Sequence, residues 1–196
     1  MGVFDAMHRG IDAIREVPGV RHARRWAFEK RFANDTNVNY WRGIYDSFEA
    51  AQADAPPTKG RGYDNDESAA LYGSRFEPLL KDYPAMFWLQ QALNAGARDV
   101  FDLGGHAGMK FYAFEPHLHI PQDCMWTVCD VPAVVRRGRS MAQERGVSER
   151  LAFTDRWQDM NGRGVLFASG SLQYLPLTLG QMLDVLEERP AWLVIN

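Results

Sequence analysis

The sequence predicts an α/β fold, a parallel sheet wrapped by helices. Three observations carry that reading. Short apolar runs at 100–103, 126–129, 151–153, 165–168 and 192–195 have the length of strands and no helical period. Stretches of helical spacing separate them, near 108–115, 132–145 and 177–189. The first run leads into Val100-Phe101-Asp102-Leu103-Gly104-Gly105-His106-Ala107-Gly108, where a carboxylate precedes three glycines at the point where a helix opens. Alternation of this kind favours parallel pairing, because each crossover supplies a helix to cover the sheet.

Upstream, Val3, Phe4, Met7, Ile11, Ile14 and Val17 recur at three- and four-residue steps, which predicts an amphipathic helix over 3–17 ending at Pro18-Gly19. A second helix is expected to about residue 32, with Arg21, Arg24, Arg25, Lys30 and Arg31 around Trp26 and Phe28. A solvated basic face is the simpler reading of those charges, ahead of a helix lying on an anionic membrane. Residues 34–39 are turn-like, and Trp-Arg-Gly-Ile-Tyr-Asp-Ser-Phe-Glu-Ala-Ala at 41–51 reads as a turn entering a short helix. The segment AQADAPPTKGRG holds two prolines and two glycines and divides an N-terminal helical region, 1–60, from a second domain, 61–196. Helices are expected at 66–80 and 84–95, the latter closed by Gly96.

Bulk properties exclude several classes. The chain has 196 residues, 46% hydrophobic and 24% charged, enough for a sizeable core. A net charge of −3 gives no case for nucleic-acid binding over the whole surface. Cys124 and Cys129 are too few for a disulfide framework or a CxxC zinc site, and read as reduced, partly buried thiols. No run of 18 apolar residues predicts an integral membrane segment. MGVFDAM lacks a signal-peptide core, and Ala6 stands where myristoylation wants Ser or Thr, so a cytoplasmic location is expected.

The glycine loop narrows the chemistry. A strand ending in glycines before a helix lets a ligand approach bare backbone near a helix N-terminus. The nicotinamide pattern G-x-G-x-x-G fails here, since His106 and Met109 fall where the second and third glycines belong. What remains is acid-x-Gly-x-x-x-Gly, made by Asp102, Gly104 and Gly108, with Gly105 in addition. After the second strand, Asp130-Val131-Pro132 puts a carboxylate where dinucleotide folds bind ribose hydroxyls, with proline suited to the first helical turn.

The loop resembles motif I of the S-adenosylmethionine (SAM)-dependent methyltransferases, whose usual form is acid-x-Gly-x-Gly-x-Gly. His106 replaces the middle glycine. Asp130-Val131-Pro132 is similar to the Asp-Leu-Pro of many small-molecule O-methyltransferases. Together with Gly43, Ile44, Tyr45, Ser47, Phe48 and Ala51, the Gly62-Tyr63-Asp64 triplet, and ASGSLQYL, the chain from about residue 40 resembles an uncharacterised, apparently bacterial family of SAM-dependent methyltransferases. The resemblance implies the Rossmann-like class I fold and SAM as cofactor. In it Asp102 lies near the methionine end and helps fix the amino group, and the glycines let the backbone pass close to the cofactor. The cofactor set it implies is Asp102, Gly104, Gly105, His106, Gly108, Asp130, Val131, Asp155, Ser169 and Gly170. Asp155 would reach the adenine, and Ser169-Gly170-Ser171 would face the sulfonium and the substrate, a small molecule or a glycan. The full fold has strand order 3-2-1-4-5-7-6. This sequence is expected to supply order 3-2-1-4-5, without strands 6 and 7, and to leave a fifth strand whose open edge favours a homodimer. A non-catalytic SAM-fold binding or assembly protein is the alternative in another class.

Other candidates have plainer readings. His117 and His119, with Glu115 and Asp123, read as surface residues rather than metal ligands. No catalytic residue is assigned, although His106 has a side chain suited to deprotonating a hydroxyl. Gln173 and Tyr174 could position substrate or simply cap and pack. Tyr63 and Asp64 have no role beyond a turn, and Trp26, Trp41, Phe87 and Trp88 are expected in the core.

Overall fold

The computed structural model describes residues 17–34, 43–55, 64–65 and 76–196. Two compact units divide the chain, Met1–Arg61 and Gly62–Asn196.

In the first unit, α1 spans Pro18–Asn34 and α2 spans Phe48–Asp54. Pro18 opens α1, because its fixed φ and missing N–H suit a first turn. The helix expected over 3–17 lies, apart from Val17, outside the described residues. Trp26 stands on the surface of α1, 67% exposed, with the Lys30 ammonium 5.3 Å from its ring centre, so it is not a core residue. Ser47 caps α2 by accepting the Ala50 N–H at 3.1 Å, the turn into a short helix that the sequence predicts.

In the second unit, residues 66–75 of the helix expected at 66–80 are outside the described set. Residues 76–79 are not helical, and only Leu80–Asp82 forms a single 3-10 turn. Pro78 disfavours helical backbone at Glu77, which accounts for the difference. Helix α3, Tyr83–Asn94, buries Ala85, Met86, Leu89, Ala92 and Leu93 on one face. Phe87 and Trp88 fall on the opposite face, 56% and 53% exposed and packed edge to face on each other, which corrects their expected place in the core. Gly96 ends α3 with φ +102, its N–H donating to the Leu93 carbonyl at 3.1 Å. Trp41 lies outside the described residues.

Five strands follow with their crossovers: β1 Asp99–Leu103, α4 Met109–Phe114, β2 Met125–Cys129, α5 Pro132–Glu144, β3 Leu151–Thr154, β4 Val165–Ala168, α6 Leu179–Asp184 and β5 Trp192–Ile195. All pairs are parallel, in the order β3-β2-β1-β4-β5. This is the predicted sheet. Helix α6 is shorter than the expected 177–189, because the Arg189 guanidinium turns back onto the Leu183 carbonyl and the Asp184 carboxylate and closes the helix end.

Strand alternation splits the core between the two faces. Val100, Trp126, Val128, Val165 and Phe167 pack with Leu89, Phe111, Phe114 and Val135 on one side. Phe101, Leu103, Cys129, Leu166 and Ala168 pack with Met160 and Met182 on the other. Gly138 in α5 leaves room for the Phe153 ring, which a Cβ there would meet at 2.2 Å, so the helix can lie close on β3. Cys124 and Cys129 are buried free thiols, pushed up to about 11 and about 12 by that burial. Among the described residues no helix is long and apolar enough to cross a membrane.

Candidate functional site

The sheet order reverses between β1 and β4, so the crossovers leaving those two strands run to opposite sides. In doubly wound sheets, that switch point opens a crevice beyond the carboxyl ends of the strands, where ligands bind. The fold is Rossmann-like. On this edge of the sheet stand the residues following each strand: Asp155 after β3, Asp130 after β2, Gly104 to Gly108 after β1, and Ser169 to Ser171 after β4.

Asp102 is placed by strand parity. It shares the face of Val100, whose register partner is Trp126, and so points into the larger core. Its side chain is fully shielded from solvent. Oδ2 accepts the Trp126 indole N–H at 3.1 Å, and Oδ1 has no partner among the described residues. Burial pushes this carboxyl up to about 7, and the nearby Asp130 charge adds to the rise against the Trp126 hydrogen bond and Lys110. The carboxylate therefore sits beneath the glycine loop rather than in the open crevice.

The glycines are explained by what lies under them. A Cβ on Gly105 would come within 2.3 Å of Asp102 Oδ2. One on Gly104, whose φ is +75, would come within 2.3 Å of the Ser171 Cβ. Ser171 is buried and donates its hydroxyl to the Leu103 carbonyl, tying the loop after β4 to the end of β1 across the switch point. The loop can thus lie flat on Asp102 and Ser171 only without side chains. His106 adopts φ +55, in the region where the middle glycine of the usual motif would be at ease, and directs its backbone N–H at Asp130. Gly108, φ +85, opens α4 against Leu151 and Tyr112.

Asp130 is half-buried at the end of β2. Its Oδ2 accepts the His106 N–H at 2.8 Å, and its Oδ1 accepts the Val131 N–H at 2.8 Å. Burial raises its pKa, and the two amide hydrogen bonds and His106 oppose the rise. An ionised carboxylate has about four lone-pair sites, so each oxygen keeps one for a further donor. Both carboxylate oxygens are thus fixed by backbone N–H groups just past the carboxyl end of β2. Asp155 is exposed, Ser169 half-buried and Gly170 exposed. The Ser169 hydroxyl accepts the Asn196 side-chain amide at 3.0 Å, and no heavy atom within 4 Å would meet a Cβ at Gly170.

Elsewhere, Glu115 pairs with Arg150 at 2.7 Å and Asp123 with Arg98 at 3.4 Å, while the His119 N–H donates to Gln90. Among the described residues no three His, Cys, Asp or Glu side chains form a metal-binding group. Gln173 bonds the Gly170 carbonyl at 2.8 Å, and Tyr174 is half exposed in the turn after β4.

Two features escaped the sequence. Asp82, fully buried, holds the Lys110 ammonium at 2.7 Å from both its oxygens, together with the Leu79 N–H and the Asn196 side chain. Lys110 follows the glycine loop by two residues, but its partner lies 28 residues upstream, and no local pattern links them. The second is Asp64, whose Oδ1 accepts the Ala133 N–H at 2.8 Å from 69 residues away. The Gly-Tyr-Asp triplet was visible as a motif, without a contact.

No family model and no curated protein matches the chain. Solved structures match it in part. A SAM-dependent methyltransferase from Geobacter sulfurreducens, in complex with S-adenosyl-L-homocysteine, is 20% identical over 66% of this chain and 52% of its own, with a TM-score of 0.42. A protein of Methanococcus maripaludis assigned to the SAM-dependent methyltransferases is 10% identical over 64% of this chain and 59% of its own, with a TM-score of 0.45. The O-methyltransferase NcsB1 from neocarzinostatin biosynthesis, in complex with S-adenosyl-L-homocysteine and 1,4-dihydroxy-2-naphthoic acid, is 20% identical over 47% of this chain and 30% of its own, with a TM-score of 0.34. The matched part is less than two thirds of each of those chains. The fold assignment stands on the strand order itself.

Proposed function

We propose that the Gly62–Asn196 unit binds SAM and transfers its methyl group to an oxygen or nitrogen of a small molecule or a glycan. The observation that carries this reading is Asp130, held on both oxygens by backbone N–H groups at the switch-point edge and next to a glycine loop of the acid-x-Gly-x-x-x-Gly form. Its two remaining lone pairs suit the vicinal hydroxyls of a ribose. The failed nicotinamide spacing supports SAM over a dinucleotide.

Bound SAM would supply an electrophilic methyl group on a sulfonium. The chain's own share is positioning. Asp130 accepts the ribose hydroxyls, and Val131 and Asp155 flank the nucleoside end. Gly104, Gly105, His106 and Gly108 form the backbone wall of the crevice, while Ser169 and Gly170 border the side where an acceptor would enter. Asp102, shielded from solvent, serves the site by supporting the loop from below. Holding acceptor and methyl donor in line removes much of the entropic barrier, and a base is needed only for an acceptor that must lose a proton.

A thermal-shift series tests the reading. SAM and S-adenosyl-L-homocysteine should each raise the melting temperature, by an amount equivalent to about 2.7 kcal/mol when ligand is near a hundred times Kd. NAD at the same concentration should leave it unchanged. A rise with NAD and none with either SAM compound would sink the proposal. Mass spectrometry of reactions with hydroxynaphthoate, catechol and amine acceptors then reads the methyl transfer directly.

A further inference from the structure

The first turn of α5 is capped from far away. Val131, at the N-cap, offers no side-chain acceptor, and Pro132, the first helical residue, has no N–H. Ala133 carries the next amide, and Asp64 accepts it at 2.8 Å. Three residues before Ala133 stands Asp130, with Oδ1 on the Val131 N–H and Oδ2 on the His106 N–H. The turn from Asp130 to Ala133 is therefore pinned at both ends. The glycine loop holds it through His106, and Asp64 holds it through Ala133.

We propose that Asp64 is a positioning residue for the cofactor's ribose site, fixing the Asp130 carboxylate through the first turn of α5. The proposal rests on the reading of Asp130 as the ribose acceptor. Asp64 is exposed, so solvent screens its charge and the located oxygen is what matters. Losing that acceptor frees the start of α5 to shift against the glycine loop. A pair of hydroxyls bound by one carboxylate is sensitive to shifts well below the length of a hydrogen bond. The same contact gives Asp64 a purpose that no local turn would require.

The test is calorimetric titration of S-adenosyl-L-homocysteine into the full chain and five variants. Asp64→Ala should weaken binding about three- to tenfold, the range of a lost helix cap. Asp64→Asn keeps an oxygen in place and should stay within about twofold of wild type. Removing Asp64 in an Asp130→Ala background should change affinity less than about twofold, because the residue it positions is gone. Asp64→Glu keeps the charge but displaces the oxygen by one methylene, and should weaken binding in a chain that folds normally. Amide exchange at Ala133, read by NMR without ligand, should quicken in Asp64→Ala and return in Asp64→Asn. Wild-type affinity in Asp64→Ala overturns the proposal. So does an equal loss with and without Asp130, which would mean a general effect on the fold. If wild type itself fails to bind the ligand, the reading of the site falls first and this proposal with it.

Discussion

Asp82 and Asp102 are equally shielded from solvent, yet their surroundings drive them in opposite directions. Burial alone would raise both. At Asp82 the Lys110 ammonium and the Leu79 amide outweigh it, and the carboxyl ends below its ordinary range. At Asp102 the Trp126 indole is the one partner among the described residues, and burial prevails to about 7. Neither side chain reaches solvent, but Asp102 lies deeper and has no cation in contact, and both differences separate the two acids. The two carboxylates consequently have different work. Asp82 is a charged clamp that gathers the start of α3, Lys110 of α4 and the residue after β5. Asp102 is the floor of the glycine loop, and its charging is resisted by burial and by Asp130 across the same loop.

Breaking the clamp should have the largest effect. Asp82→Ala leaves Lys110 partly buried without its partner, and denaturant unfolding near pH 7 should show a loss of about 3 kcal/mol. The pH dependence has a definite sign. A carboxyl lowered on folding adds stability above its unfolded pKa and loses it as pH falls through the folded value. The gap between wild type and Asp82→Ala should therefore narrow below about pH 4. A gap unchanged into acid would mean that the ion pair is not its source.

Filling the space above Asp102 comes next. Gly105→Val places a side chain against the carboxylate and should cost about 1–3 kcal/mol in the ligand-free protein. If the glycine served only to admit a cofactor, stability without ligand would be unaltered and binding alone would suffer. That outcome would remove Asp102 as the reason for Gly105.

The last expected change is a gain. Asp102→Asn keeps an oxygen for Trp126 and removes the ionisable group. For the wild type, the folded carboxyl holds its proton to about pH 7 while the unfolded one releases it near 3.8. Between those values the folded state binds more protons, so stability falls as pH rises. The variant escapes that fall. Its melting temperature should sit near wild type at pH 5 and above it at pH 8. A constant difference across that range would show that Asp102 does not titrate there.

Much of this arrangement was legible in the sequence because it is local. Five apolar runs and their crossovers mark the strands and their parallel pairing, the resemblance to the methyltransferases implies their order, and the acid and glycines of 102–108 mark the turn after β1. Asp130-Val131-Pro132 likewise announces a strand end and a helix start within three residues. What the sequence hid is of two kinds. One is parity and depth. Register with Trp126 turns Asp102 toward the core beneath the glycine loop, a depth that no motif reports, and Phe87 and Trp88 read as core until the apolar face of α3 excludes them. The other is long-range pairing. Asp82 with Lys110, and Asp64 with Ala133, join residues 28 and 69 positions apart, which no periodicity reports.

The central claim is that Asp130 receives the ribose of SAM at the switch point. Calorimetry with S-adenosyl-L-homocysteine on wild type and Asp130→Ala tests it most directly. Wild type should bind, and the variant should bind about ten- to a hundredfold more weakly, as expected for the loss of charge-assisted hydrogen bonds of roughly 1.5–3 kcal/mol. Equal affinities, or no heat of binding for the wild type, would contradict it.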